Sequence, residues 1–236
     1  MNVLETYFSP TLDYFNWLIE QITIESGSLY GNYFWFLAII SIIFFTLEIL
    51  LPWRKKQPIF RKDFWLDFFY MYFNFFLFYL VLFAGLGEFS SVFFSRTAHF
   101  LHVDKLVISV EKWPVWIQFG LMLTIQDFTH WNIHRLLHKT PFLWRFHKVH
   151  HSVKQMGFAA HLRFHWMESI IYKSITFIPL FFIGFGIEDF FYLHLFTITW
   201  GHFNHANINI PLGPLKYVFN SPQMHIWHHV KTLPKT

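Results

Sequence analysis

Cysteine is absent from the 236 residues, which excludes disulfides, thiolate-held zinc, iron–sulfur clusters and cysteine nucleophiles as intrinsic features. Charge is scarce as well. Asp, Glu, Lys and Arg make up 14% of the chain against 54% hydrophobic and 23% aromatic residues, a balance outside that of soluble proteins, so lipid is the expected solvent. The net charge of +4 is small and the basic residues gather in particular loops, so no nucleic acid is expected as a partner. The first turns carry Glu5, Asp13, Glu20 and Glu25 without a basic start or a small-residue cleavage site, which predicts no removable signal peptide. Neither a low-complexity linker nor a soluble-domain boundary divides the chain.

Histidine, by contrast, occurs 16 times. Two strings, His147-Lys148-Val149-His150-His151 and His225-Ile226-Trp227-His228-His229, repeat the pattern HxxHH, and no longer internal repeat is visible. Positions i, i+3 and i+4 share one face of a helix, so the three imidazoles of each string are expected to converge on one point. His134 and His138 add an i, i+4 pair just upstream of the first string. With thiolates excluded, any metal here is held by nitrogen or oxygen, and imidazole suits iron, copper, nickel and zinc. One zinc rarely takes more than four protein ligands, so eight imidazoles point to two ions. Two irons are expected, because zinc cannot change oxidation state whereas an iron pair can activate dioxygen against an unactivated C–H bond.

Hydropathy places these clusters. Tyr33 to Leu51 and Phe64 to Gly85 read as spans, joined by a loop with Arg54, Lys55, Lys56, Arg61 and Lys62 that belongs on the cytoplasmic side. Phe8, Leu12, Phe15, Ile19 and Ile22 suggest an amphipathic helix, lying at the interface or docked against the bundle. Glu88 to Lys112 reads as an outer loop with a half-buried helix. Trp113 to Trp131, opened by Pro114, returns as a third span that runs directly into His134 and His138. Ser169 to Gly186 and Glu188 to His202 form a hairpin with Gly184, Gly186, Glu188 and Asp189 at its outer turn. Arg135, Lys139, Arg145, Lys148, Lys154, Arg163 and Lys173 again mark the cytoplasmic face, and all three histidine clusters fall on that side. The expected architecture is all-α: a multi-span transmembrane helical bundle with a cytoplasmic histidine-rich catalytic cap. Residues 1–112 supply the interfacial helix and two spans, residues 113–236 the catalytic region, together forming one integrated membrane domain.

The stretch Asp127-Phe128-x-x-Trp131-x-x-His134-Arg135-x-x-His138-x-x-Pro141-x-Leu143-Trp144-x-Phe146-His147-x-Val149-His150-His151-Ser152 resembles the fatty acid hydroxylase/sterol desaturase superfamily of integral-membrane di-iron enzymes. His161-x-x-Phe164-His165-x-x-Glu168, His205-Ala206-Asn207 and Asn220-Ser221-Pro222-x-x-His225-x-Trp227-His228-His229 resemble its later stretches in the same order. The resemblance covers about residues 113 to 229. It implies that His134, His138, His147, His150, His151, His225, His228 and His229 ligate two irons, with His205 as a ninth ligand. It also implies O2-dependent hydroxylation or desaturation of a lipid chain, fatty acyl, alkyl or sterol-like. No haem-binding or ferredoxin-like module is visible, so electrons are expected from a separate donor, a b-type cytochrome or a ferredoxin-like protein. The resemblance implies a chain that continues beyond the last HxxHH, so with the stop at Thr236 the expectation is that the catalytic region could be C-terminally truncated.

Other residues carry weaker expectations. Asp127 shares a helical face with His134 and is expected to orient a ligand ring, and His161, His165 and His202 are expected around the ligands. His130 is expected to be structural, His194 a satisfied interhelical polar residue, and His99 and His102 solvated loop residues. Arg135, Arg145 and Arg163 are candidates for lipid phosphate or for Asp127 and Glu168, although sidedness alone explains them. The 34 phenylalanines are read as lipid-facing and core packing. Competing functions are a metal transporter, whose sites belong near the midplane, and a zinc-dependent hydrolase, for which no HExxH glutamate is present.

Overall fold

The computed structural model describes residues 15–23, 32–80, 96, 99–100, 110–185 and 187–230. Among these there is no strand, only an isolated antiparallel bridge between Pro52 and Ile208. The helices are α1 (Tyr33–Leu50), α2 (Phe64–Leu80), α3 (Val115–Lys139), α4 (Pro141–His147), α5 (Trp166–Ile183), α6 (Ile187–His205) and α7 (Pro222–His228). Short 3-10 turns occupy Val110–Lys112, His150–Ser152, Phe158–Leu162 and Gly213–Tyr217. Residues 15–23 are helical too, with Phe15, Ile19 and Ile22 exposed and Leu18 and Gln21 buried. Phe8, Leu12, His102 and most of the expected outer loop lie outside the described residues.

Several helix ends have local causes. The Asn32 side chain accepts a hydrogen bond from Trp35 N at 3.1 Å and caps α1, and Pro52 follows its end. Ser221 caps α7 by accepting from Met224 N at 3.3 Å, with Pro222 in the first turn, where a missing N–H costs nothing. Gly184, at φ 100°, closes the α5–α6 turn in a conformation that favours glycine.

The burial pattern of α2 is the reverse of a soluble helix. Phe64, Asp67, Met71 and Asn74, spaced three and four apart, face inward, while Trp65, Leu66, Phe68 and Phe69 are exposed. On α1, Tyr33, Leu37, Ser41 and Phe44 form the inner stripe, and Ile39, Ile42, Ile43, Ile49 and Leu50 face outward. The core joins α1, α2, the Phe158–Leu162 turn and α6. Against this unit, α3 packs with α4 and α5, and α7 rests on α6.

The described parts of the five expected spans coincide with α1, α2, α3, α5 and α6, while residues 81–85 of the second span and 186 of the fourth lie outside the described residues. Among the described residues, α1 alone is long and apolar enough to cross a membrane by length and composition. The C-terminal ends of α3 and α6 and the N-terminal end of α5 carry groups within or against the histidine clusters, and Glu48 near the end of α1 bonds the loops beside them.

Candidate metal centre

Three elements bring most of the imidazoles together. α3 carries His134 and His138 one turn apart on a single face. α4 ends at His147, and the following 3-10 turn places His150 and His151. α7 carries His225 and His228, with His229 as its C-cap. The last residue of α6, His205, completes the set.

The rings sort into two groups. His134, His138, His147, His151 and His228 form one, and His150, His205, His225 and His229 the other, the ligand atoms within each lying within 4.8 Å of one another. In the first, Nε2 of His228 lies 2.7 Å from that of His134 and 3.2 Å from that of His138; His138 to His147 is 3.2 Å and His147 to His151 is 3.1 Å. In the second, His205 Nε2 is 3.2 Å from His150 Nε2 and 3.0 Å from His225 Nε2, and His225 to His229 is 3.0 Å.

The expectation that each HxxHH converges on one point is corrected by this sorting. Positions i and i+4 of each string join one group, and i+3 crosses to the other: His147 and His151 against His150, His225 and His229 against His228. In the second string, on α7, about 100° per residue leaves i and i+4 only about 40° apart but sends adjacent i+3 and i+4 about 100° apart; in the first, α4 ends at His147 and the 3-10 turn places His150 and His151.

The chemistry of these donors fits metal ions. Glu168 Oε1 lies 2.8 Å from His147 Nδ1, and the Gly201 carbonyl lies 2.8 Å from His205 Nδ1. Both partners are acceptors, so Nδ1 carries the proton and Nε2 a bare lone pair. Lone pairs facing one another at such distances repel unless a cation lies between them. Metal–imidazole bonds of ~2.1 Å at right angles would separate the nitrogens by about 3.0 Å. Burial, and then the proximity of other histidines, favours the neutral, ligating form of His138, pushed down to about 4, and of His151, pushed down to about 2. Burial likewise lowers His205 to about 4, against the Gly201 hydrogen bond, and lowers His134, His150, His225, His228 and His229.

Around the rings, Tyr172 Oη is 3.0 Å from His134 Nδ1, and the Asn220 amide is 3.0 Å from His225 Nδ1. The carboxylate that meets a ligand ring is therefore Glu168. Asp127 is exposed and shows no hydrogen bond to any of the nine. His161 packs beside His205, ring centroids 5.2 Å apart, and its Nδ1 lies 3.1 Å from His202 Nδ1; His202 in turn reaches the Ser41 hydroxyl at 3.4 Å. His165 turns away, its Nδ1 accepting from Met167 N at 3.2 Å and its ring against Phe146. His130 stacks on Tyr172, and His194 meets Tyr33 Oη at 3.0 Å inside the bundle. Arg163 is buried on Asp67 rather than on Asp127, Glu168 or phosphate, and Arg135 lies over the Trp131 ring.

Nine imidazoles gathered by helices into two adjoining groups define a histidine-rich site compatible with metal binding. Residues 119–235 match the family model described as fatty acid hydroxylase, and through this region, which holds all nine histidines, the chain belongs to that family. It is 35% identical to the ornithine lipid hydroxylase OlsE of Rhizobium tropici over 123 residues, 52% of this chain and 37% of that protein. Alkylglycerol monooxygenase of Caenorhabditis elegans is 32% identical over 108 residues, 45% of this chain and 21% of its own length. The Homo sapiens alkylglycerol monooxygenase is 29% identical over 116 residues, 48% of this chain and 25% of its own. The chain thus matches well under half the length of these relatives, and no solved structure matches it. The relatives' names are those of a lipid hydroxylase and of monooxygenases.

Proposed function

We propose that this protein is a multi-span membrane oxidoreductase that holds two irons and uses O2, with electrons from a separate b-type cytochrome or ferredoxin-like donor, to hydroxylate or desaturate a lipid hydrocarbon chain. The observation that carries this reading is the pair of imidazole groups, five and four strong, interlocked through both HxxHH strings. Iron bound there would supply the redox chemistry of oxygen activation. His134, His138, His147, His151 and His228 would hold one ion and His150, His205, His225 and His229 the other. Glu168 fixes the tautomer of His147 and aims its Nε2, the Gly201 carbonyl does the same for His205, and Tyr172 orients His134.

The membrane setting is supported by the reversed pattern of α2 and by the outward Trp116 and Phe128 of α3. Arg54, Lys55, Lys56, Arg61 and Lys62 lie between α1 and α2, and Arg135 and Lys139 in the last turns of α3 beside the first histidines; this gathering of positive charge supports a cytoplasmic side for the metal centre. An acyl or alkyl chain then reaches the histidines from the bilayer.

Detergent-purified protein should contain about two irons per chain, and membranes of cells expressing it should gain lipids heavier by one oxygen or lighter by two hydrogens. A single zinc without iron, or an unchanged lipid profile with both irons bound, would overturn the reading.

A further inference from the structure

The buried polar groups of residues 48–74 take no part in the metal centre, yet most of their hydrogen bonds end on the loops that carry it. Glu48, the last inward residue of α1, has a side chain only 9% exposed. One of its oxygens, Oε1, accepts two backbone N–H bonds, from Phe158 at 2.8 Å and from Asn207 at 2.7 Å. The other accepts from Arg61 Nη1 at 3.3 Å. Phe158 opens the turn after His150 and His151, and Asn207 lies two residues beyond His205.

The same two loops are held by neighbouring bonds. Arg54 donates from its backbone to Asn207 Oδ1 at 2.9 Å and from Nη2 to the Met156 carbonyl at 2.8 Å, and Gln57 Nε2 donates to that carbonyl at 2.8 Å. Asn209 N donates to the Leu51 carbonyl at 2.8 Å. Gln223 of α7 donates to the Ile208 carbonyl at 3.1 Å, which ties the helix bearing His225 and His229 to the same strap. Gly157 makes the arrangement possible, because a Cβ there would lie 2.0 Å from Cζ of the buried Arg61.

We infer that Glu48 is a positioning residue for the four-histidine group. A single carboxylate oxygen bonded to both loops fixes their separation, and those loops carry His150 and His205, whose Nε2 atoms stand 3.2 Å apart. The five-histidine group has its own buried carboxylate, Glu168, and no bond to Glu48. Glu48 lies outside the residues that match the family model, so this role belongs to the N-terminal helices. The inference rests on the metal reading proposed above.

The test is iron stoichiometry after loading with ferrous iron alone, with thermal unfolding followed in parallel. Glu48→Ala should lower the iron content from about two to about one per chain with the helical content retained. Combining it with His134→Ala should leave almost none, and combining it with His229→Ala should leave it at about one. Glu48→Gln keeps the oxygen acceptor but sets an amide donor against Arg61. It should retain the second iron at roughly ten-fold weaker affinity, a partial rescue that also serves if the alanine variant fails to fold. Two irons bound tightly in both Glu48 variants, or equal loss from both groups in a folded protein, would overturn the inference. A wild type that binds no iron would instead remove the metal reading itself.

Discussion

The two imidazole groups are built from the same strings but live in different surroundings. In the five-histidine group His138 and His228 are exposed and His134 is half-buried, so this side opens outward. In the four-histidine group His150, His205 and His229 are buried and His225 is half-buried, beneath loops strapped to α1. Support differs too. The open group is braced by side chains of α5, Glu168 and Tyr172, whereas the closed group is braced by backbone bonds to Glu48 and by the Gly201 carbonyl. Equal donors therefore sit in unequal surroundings: on the proposed reading, the open group would face an incoming substrate and the enclosed group would retain its ion.

The sharpest way to break this comparison uses neighbours in the chain. His150→Ala and His151→Ala should each abolish lipid oxidation, beyond the roughly 100-fold upper range for loss of an outer contact, yet each should deplete a different ion. Selective depletion is read by combining each with His134→Ala or His229→Ala and counting iron. If both single variants deplete the same ion, the sorting into two groups is wrong.

A smaller effect is expected from Glu168→Gln, which keeps a hydrogen bond to His147 but removes the charge behind it. Iron in the open group should bind about 10–100-fold more weakly, with the enclosed ion unaffected, in a chelator competition assay. Acidification should act on the metal-free protein. His138 and His205 titrate at about 4 when folded against 6.5 as the ordinary value, so protonation favours the unfolded chain. Stability present above pH 6.5 should fall progressively between 6.5 and 4, and bound iron should shift that loss to lower pH because it occupies the same lone pairs. Thermal melts of loaded and metal-free protein across that range check the sign. The smallest effect is Ser221→Ala, which removes the α7 cap at a cost of about 1 kcal/mol. Since α7 serves both groups, this variant should weaken both ions alike.

Most of the clustered histidines were legible because groups that converge on one point leave short-range spacing in a chain, as in His134/His138 and the two HxxHH strings. The division between ions was not, because the strings were read as single helical faces, whereas α4 stops at His147 and a 3-10 turn takes over at His150. Asp127 shares a face with His134 but stands about 10 Å away along the axis, too far to touch its ring. Glu168 becomes visible as its replacement only once α5 packs on α3 and α4. Glu48 carried no local signal at all: it closes an apolar run, and its partners lie 110 and 159 residues away.

The crossing of the strings has a consequence for the order of events during synthesis. His228 belongs to the open group and His225 and His229 to the enclosed one, so neither group is complete until the ribosome has passed residue 229. Helices α1 to α6 are by then already made, and on the proposed reading metal would enter late, with α7 closing both groups together.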